Sequence, residues 1–395
     1  MLRFSTGGES HGEALVAMLS GIPAGLRIDS AFVDRELWRR QQGYGRGGRM
    51  RIERDRAHFL AGVRQGATIG SPIVIQLENR DWQNWREALP VEKGDPGKHK
   101  TLSAPRPGHA DLAGALKYNF PEARYVLERA SARESAARVA VGAVAKLFLR
   151  QFGIEIASHV LAVGAATVSH PEIPWKKIRA TAARKKLLLN CADPKAEKRM
   201  KTEVDRALRT GDSVGGVFEV VAHQVPPGLG TYANWDERLD SRLAFAIMSL
   251  PAVKAVEIGC GIANAAASGS AVQDSIAYAR VAKSAARFTG FTRQTNRAGG
   301  IEGGVSNGED VLVRGYLKPI STLRRPLESV DFQTRRPVAA SYERSDVCVV
   351  PAAGVAAEAM VALTLARCAL EKFGGDSMLE TLRNFLGYCE QLRAY

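Results

Sequence analysis

Two long runs dominated by small apolar residues constrain this chain's fold more than any other feature. One opens at Ser131 and continues to about Phe152, and the other extends from Gly354 to Phe373. The first begins with Ser131-Ala132-Arg133-Glu134, the spacing of a capping box, and so predicts a strong helix. The second is followed by Gly374, the residue type that commonly ends a helix. The most apolar stretch, Val347 to Ala366, is interrupted by Pro351 and Glu358, and therefore reads as a buried helix rather than a membrane span. The comparable positions of the two alanine-rich helices hint at an internal duplication.

The elements around them are shorter. Asp29 or Ser30 can cap an amphipathic helix reaching Gln42, with Phe32, Val33 and Leu37 inward and Arg35, Arg39 and Arg40 outward. Ala67 to Leu77, centred on Ile73-Val74-Ile75, reads as a strand, as do Val217 to Val221 and Val311 to Val313. The charged region 176–209 is expected to be a solvated, peripheral helical element, and 374–395 a C-terminal tail. Long helices alternating with short strands, without regular βαβ spacing, predict an α+β fold of sheets packed on helices. No low-complexity linker interrupts the chain and its motifs run from residue 7 to residue 346, so 1–395 is expected to form a single domain.

Charge narrows the partners. Fifty-five Lys and Arg against 41 Asp and Glu leave +14, which favours phosphorylated small molecules, flavin or nicotinamide nucleotides, or nucleic acid. Five scattered cysteines without a Cys-x-x-Cys argue for neither a disulfide framework nor a zinc site, so no metal is expected. The opening residues lack the apolar run of a signal peptide, and a cytoplasmic setting is expected.

Two histidines sit in glycine-fenced turns next to acids, Gly7-Gly8-Glu9-Ser10-His11-Gly12 and Arg106-Pro107-Gly108-His109-Ala110-Asp111. Such turns leave an imidazole uncrowded and suited to giving a proton to an anion, although turn hydrogen bonding alone would also account for each. Arg40 leads into Gly43-Tyr44-Gly45-Arg46-Gly47-Gly48-Arg49, whose forked donors and bendable backbone fit phosphate or carboxylate, or else an RGG-like nucleic-acid segment. Arg129-Ala130-Ser131-Ala132-Arg133-Glu134 begins a helix, where free amides and the dipole favour an anion, although a plain helix start with solvated arginines would also account for it. The glycine-rich segment 295–304 suits either close approach to a flat ring or a plain hairpin. Lys318-Pro319-Ile320-Ser321-Thr322 offers an ammonium and two hydroxyls at a rigid turn, fit for phosphate or else a plain edge-strand turn, and Asp346, between Arg344-Ser345 and a buried run, is either a paired structural carboxylate or a working acid–base group.

Taken in order, these segments closely resemble the chorismate synthase family over nearly the whole chain. The match rests on Gly-Glu-Ser-His-Gly at 8–12, Gly-Tyr-Gly-Arg-Gly at 43–47 and Arg-Pro-Gly-His-Ala-Asp at 106–111. It continues with Glu-Arg-Ala-Ser-Ala-Arg-Glu at 128–134, Val-Glu-Ile-Gly at 256–259 and Thr-Asn-Arg-Ala-Gly-Gly-Ile-Glu-Gly-Gly at 295–304. Lys-Pro-Ile-Ser-Thr at 318–322 and Arg-Ser-Asp-Val-Cys at 344–348 complete it. The resemblance implies long helices sandwiched between antiparallel sheets, a homotetramer, and a 1,4-anti elimination of phosphate from 5-enolpyruvylshikimate 3-phosphate to chorismate. It also implies a requirement for reduced FMN without net redox change. His11 matches the proton donor to the departing phosphate, His109 the proton donor to the reduced flavin ring, and Asp346 the acid acting with the flavin in removing the substrate's C6 proton. The matching FMN positions are Arg129, Ala130, Ser131, Pro251, Ala252, Gly303, Lys318, Pro319, Ile320, Ser321, Thr322 and Arg344. Arg40, Arg46, Arg49, Arg106 and Arg133 are expected on the substrate's anionic groups.

Three places depart from the family pattern: Pro251, where a polar residue is common, Gln273, where histidine is common, and the segment 275–292. No flavin-reductase module is visible, so the expectation is a monofunctional enzyme served by an external flavin reductase, with NADPH acting only indirectly. Neither nucleic acid nor a membrane is expected as a partner. The competing readings are a basic nucleic-acid-binding protein and a flavin-dependent oxidoreductase with net hydride transfer.

Overall fold

The structure, a computed structural model, describes residues 1–48, 52–170, 172–278, 288–343 and 345–395. Its first half holds β1 (Arg3–Gly7), β2 (Ala14–Ser20), α1 (Ser30–Gln41), β3 (His58–Ala61), β4 (Ile73–Glu78), α2 (Asp111–Tyr118), α3 (Arg124–Ala130) and α4 (Ser135–Arg150). The second half adds β5 (Glu155–Val163), β6 (Ala166–Thr167), α5 (Trp175–Ala182), α6 (Pro194–Thr210), β7 (Gly216–His223) and α7 (Leu239–Met248). It ends with β8 (Val253–Ile258), β9 (Val311–Leu317), α8 (Val350–Phe373) and α9 (Met378–Ala394). One antiparallel sheet has the order β1-β2-β4-β3, and a second has the order β8-β9-β7-β5-β6. The fold is α+β, as expected.

Strand alternation decides which face each sheet buries. In the β2–β4 ladder, Leu15 pairs with Leu77, Ala17 with Ile75 and Leu19 with Ile73, and all six are buried. Val16 and Met18, one residue out of phase, are exposed. The buried face lies on α4, while the second sheet packs through Ser158 and Phe218 onto α8. The two helices pack on each other, so the core runs sheet, helix, helix, sheet.

Small residues let α4 and α8 approach closely. A Cβ added at Gly142 would lie 2.2 Å from Ala359 Cβ and 2.5 Å from its Cα. Gly142→Ala is therefore expected to destabilise by about 1–3 kcal/mol through overpacking, against the roughly 1 kcal/mol that alanine gains in helix propensity. A urea midpoint at or above the parent's would contradict this packing.

The same layer holds a buried ionic group that explains Glu358 in so apolar a helix. The Glu358 carboxylate accepts from Arg39 at 2.7 Å, from the Ser158 backbone N–H at 2.7 Å and hydroxyl at 2.5 Å, and from Lys146. Lys146 also donates to Glu36, which pairs with Arg39 at 3.0 Å. Burial alone would raise the Glu358 carboxyl, but the Arg39 and Lys146 charges outweigh it and hold it below the ordinary carboxylate range.

Several sequence expectations are corrected here. Arg39 and Arg40 are buried, because their carboxylate partners lie in the interior, whereas Phe32 is only half-buried. Asp29 does cap α1, accepting from Phe32 N–H at 3.1 Å. The capping box at Ser131 is not closed: Ser131 caps a short turn over 132–134, and the Glu134 carboxylate instead accepts from Thr6 and Arg138. Region 176–209 is not merely a solvated periphery. Its α6 buries Ala196, Met200 and Val204 in the main core, and Val204 Cγ1 would lie 2.7 Å from a Cβ at Gly45, so the helix clamps the glycine-rich loop. The segment 374–395 contains α9 rather than only a tail. The strand expected over 67–77 is a two-residue pairing at Ala67–Thr68 followed by β4.

Candidate active site

Loops and helix ends of the first half, the β9 turn and the start of α8 enclose a cavity of about 890 Å³. That volume fits a small-molecule site. Its described lining carries six basic side chains, Arg40, Arg46, Lys100, Arg106, Arg133 and Lys318, against three acidic ones, Asp81, Glu343 and Asp346. The excess positive charge marks it as a site for an anion.

His11 enters on the turn after β1. Gly8 has φ +97°, and a Cβ there would meet the Ala14 carbonyl oxygen at 2.3 Å, so this tight turn requires glycine. The Ser10 N–H donates to the Glu128 carbonyl at 2.9 Å and the His11 N–H to the Glu128 carboxylate at 2.8 Å. His11 Nδ1 lies 2.9 Å from the same carboxylate, and the imidazole stacks on Trp85 with ring centroids 4.0 Å apart. Ser10 Oγ donates to Ser131 Oγ at 3.1 Å, joining this turn to the start of the next helical segment.

His109 is held by a comparable device. Its Nδ1 lies 2.5 Å from Asp111 Oδ1, and Arg106 donates to both Asp111 oxygens, from Nε at 2.8 Å and Nη2 at 3.0 Å. Burial works to raise the Asp111 carboxyl, but hydrogen bonds from His109 and Arg106 prevail and hold it well below the usual carboxylate range. Its stabilising contribution is therefore complete above the unfolded value, about pH 4. It is lost as pH falls toward the depressed folded value. Asp111→Asn is expected to lower the urea midpoint at neutral pH and to flatten its decline below pH 4. An unchanged acid slope would contradict the assignment.

Asp55, deeply buried, organises the guanidinium groups. It accepts from Arg40 at 2.9 Å and from Arg133 at 2.6 Å, and Arg133 also donates to Asn79 at 2.8 Å. Burial, then the nearby positive charges of Arg133 and Arg46, lower the Arg40 pKa even though Asp55 opposes them. An anion arriving here would relieve that crowding of cations. Beside this group, Asp346 accepts from the Gly47 N–H at 2.5 Å and lies 3.4 Å from Arg46 Nε.

The Lys318 turn closes another side. Lys318 donates to the Gly108 carbonyl, and Thr322 Oγ1 accepts from Arg106 at 2.9 Å. Gly108 has φ +76°, and a Cβ there would lie 3.1 Å from Lys318 Nζ and 3.4 Å from Ser321 Oγ, so its bare backbone keeps a polar cradle open. Ala252 contributes backbone in the left-handed region, φ +68°, where an alanine is strained.

The structure thus brings His11, His109, Asp346, Arg40, Arg46, Arg106, Arg133, Ala130, Ser131, Pro251, Ala252, Lys318, Ile320, Ser321 and Thr322 to one cavity. It does not place Arg129, Pro319 or Gly303 on that lining. Arg129 turns back onto the carbonyls of Gly8 at 3.1 Å and Thr6 at 3.0 Å, and Gly303 forms the turn of the hairpin Ile301–Glu302/Val305–Ser306. Arg49 and Arg344 lie outside the described residues, as do 279–287 of the atypical segment, whose flanks pair as Ile276–Tyr278 and Phe291–Arg293. Motif reading did not assign Trp85 and Lys100, which line the cavity, or Asp55 and Glu128, which hold residues that line it. Glu128 opens a quoted motif without having been given a role there, whereas nothing in the local sequence singles out Asp55 or Trp85.

A family model described as chorismate synthase matches residues 2–370. The chorismate synthase of Koribacter versatilis (strain Ellin345) is 70% identical over 395 residues, covering 100% of both chains. That of Acidobacterium capsulatum is 66% identical over 395 residues, again covering 100% of each. A crystal structure of chorismate synthase, 38% identical, superposes with a TM-score of 0.77 over 100% of this chain and 99% of that one.

Proposed function

This chain belongs to the chorismate synthase family, and from that premise we propose that the basic cavity is where its elimination takes place. The chain is a lyase that forms chorismate from 5-enolpyruvylshikimate 3-phosphate, and its family requires a reduced flavin without net redox change. The observation that carries the site assignment is the convergence of two carboxylate-backed histidines with six basic side chains around one cavity.

The substrate brings two carboxylates and a phosphate. Arg40, Arg46, Arg106 and Arg133 hold them, with Arg49 assigned the same task by resemblance. As the allylic C–O bond breaks, phosphate leaves with its electron pair, and His11 gives the departing group a proton. The C6–H electron pair forms a C1=C6 double bond, and the ring's existing C1=C2 pair shifts to C2=C3 to refill the carbon that phosphate leaves. Asp346, fixed by Gly47 and Arg46, serves the removal of that C6 proton, and His109 holds a proton toward the flavin.

The residues present fit a flavin: the open cradle at Gly108, bounded by Lys318 Nζ and Ser321 Oγ, suits a phosphate group. Ser131, Ala252, Lys318, Ser321 and Thr322 would hold FMN. When bound, reduced FMN would supply electron density for the electron-deficient allylic system. We assign a cytoplasmic homotetramer that receives FMN already reduced by a separate reductase, with NADPH acting only through that partner.

An anaerobic assay with photoreduced FMN tests the reading. Chorismate and free phosphate are expected in equal amounts with the flavin still reduced. Oxidised flavin accumulating in step with product would instead establish an oxidoreductase.

A further inference from the structure

We propose that Glu128 and Trp85 are positioning residues for His11, fixing its tautomer and its ring plane so that Nε2 is the nitrogen turned to the reaction. This rests on the proton-donor role given to His11 above. An imidazole on a turn has two side-chain torsions and two neutral tautomers, and the chain restrains each by a separate contact.

Glu128 restrains the tautomer. Its side chain, in the last turn of α3, is only 2% exposed. One carboxylate oxygen lies 2.9 Å from His11 Nδ1 and the other accepts the His11 N–H at 2.8 Å, while its carbonyl accepts the Ser10 N–H at 2.9 Å. A carboxylate can only accept, so Nδ1 must carry the proton. Arg124 stands 3.7 Å from Glu128 and is itself tied to Glu343 at 2.8 Å, which sets a fixed positive charge beside the carboxylate.

Trp85 restrains the plane. Its ring lies 23° from parallel to the imidazole, and the His11 side chain is left 12% exposed. The same indole carries Lys100 Nζ at 3.8 Å and Arg124 at 5.2 Å, so the stacking wall is tied to the residue that steadies Glu128. His109 has the same kind of support in Asp111, a buried carboxylate against Nδ1. A carboxylate behind Nδ1 is the general way to orient an imidazole that works through Nε2.

Glu128→Gln keeps the shape but offers one acceptor where the turn needs two. It is expected to lower kcat by about 10–100-fold while KM stays within about threefold, the range typical of lost outer-shell support. Trp85→Leu is expected to cost about tenfold in kcat, and Trp85→Phe to restore most of it. Groups that act as a unit are not additive, so Glu128→Gln added to His11→Ala is expected to cost no further kcat. Histidine-labelled protein read by 15N NMR, with the His11 signals identified by their loss in His11→Ala, should show Nδ1–H in the parent and a mixed tautomer in Glu128→Gln. A pure Nδ1–H tautomer in Glu128→Gln, or an equal loss in both backgrounds, would overturn the positioning role alone. A mixed tautomer with unchanged kcat in both Glu128→Gln and His11→Ala would overturn the proton-donor reading and the inference with it.

Discussion

Replacing His11 with alanine is expected to lower kcat by about 10²–10⁴-fold, the contribution usual for a positioned general acid. Phosphate leaving an allylic carbon carries its charge away, and a proton delivered as the bond breaks stabilises that charge where it develops. KM should change much less, because the substrate's anionic groups are held by guanidinium side chains rather than by the imidazole. The assay must be anaerobic with flavin already reduced, so that the rate reports the elimination rather than flavin reduction. His109→Ala is expected to fall within the same range. The far-ultraviolet spectrum should be unchanged in both, since each ring lies at a cavity wall and not in the core. Unchanged rates in both variants would remove the acid roles assigned to these histidines.

Glu358→Leu is expected to be the most destabilising of these substitutions. The carboxylate is fully buried and is shared by Arg39, Lys146 and Ser158, so its removal leaves two cations facing Glu36 alone. Breaking a buried pair by removing one partner typically costs about 3–5 kcal/mol, because the remaining charge has neither water nor counter-charge. The loss should appear as a lower urea midpoint and a faster unfolding rate. Glu358→Gln, which keeps an acceptor for Ser158, should fall between the parent and the leucine variant. Breaking the exposed pair Lys98–Glu87, 2.8 Å apart with side chains 52% and 64% exposed, should leave the midpoint unchanged. Equal effects at the two places would mean that the buried tetrad does not hold α1, α4, α8 and β5 together.

Local chemistry made part of the site legible. The turns around His11 and His109 are short-range structures, and glycine and proline signal them from within the same few residues. The Lys318 turn was legible for the same reason through Pro319, whereas Asp346 stood out only as an acid entering a buried run. The glycine-rich segment 295–304 shows where that logic stops: Gly303 and Gly304 form a hairpin turn, Gly299 packs on Gly259, and none of them is on the cavity lining. Glycine records a backbone requirement and is silent about what lies opposite. Asp55, Trp85 and Glu128 escaped because their importance comes from partners brought near by the fold. Trp85 comes from a loop far in sequence from the His11 it stacks on, and Glu128 reaches back 117 residues to that same ring.

Arg39 and Arg40 draw the line most sharply. The sequence alone determined an α+β chain, two long buried helices, an anion-seeking charge and the two histidine turns, because periodicity, capping and turn chemistry act over a few residues. Helical periodicity placed both neighbouring arginines outward, and only the family resemblance set Arg40 apart. Only the tertiary structure sent Arg39 into the helix layer, against Glu358 at a separation of 319 residues, and Arg40 to the cavity wall, against Asp55 at a separation of 15. Adjacent positions on a helix differ by about 100° in direction. Which direction meets a core carboxylate and which meets the cavity depends on how α1, α4 and α8 pack, and burial of a guanidinium is tolerated only where such a partner is already in place.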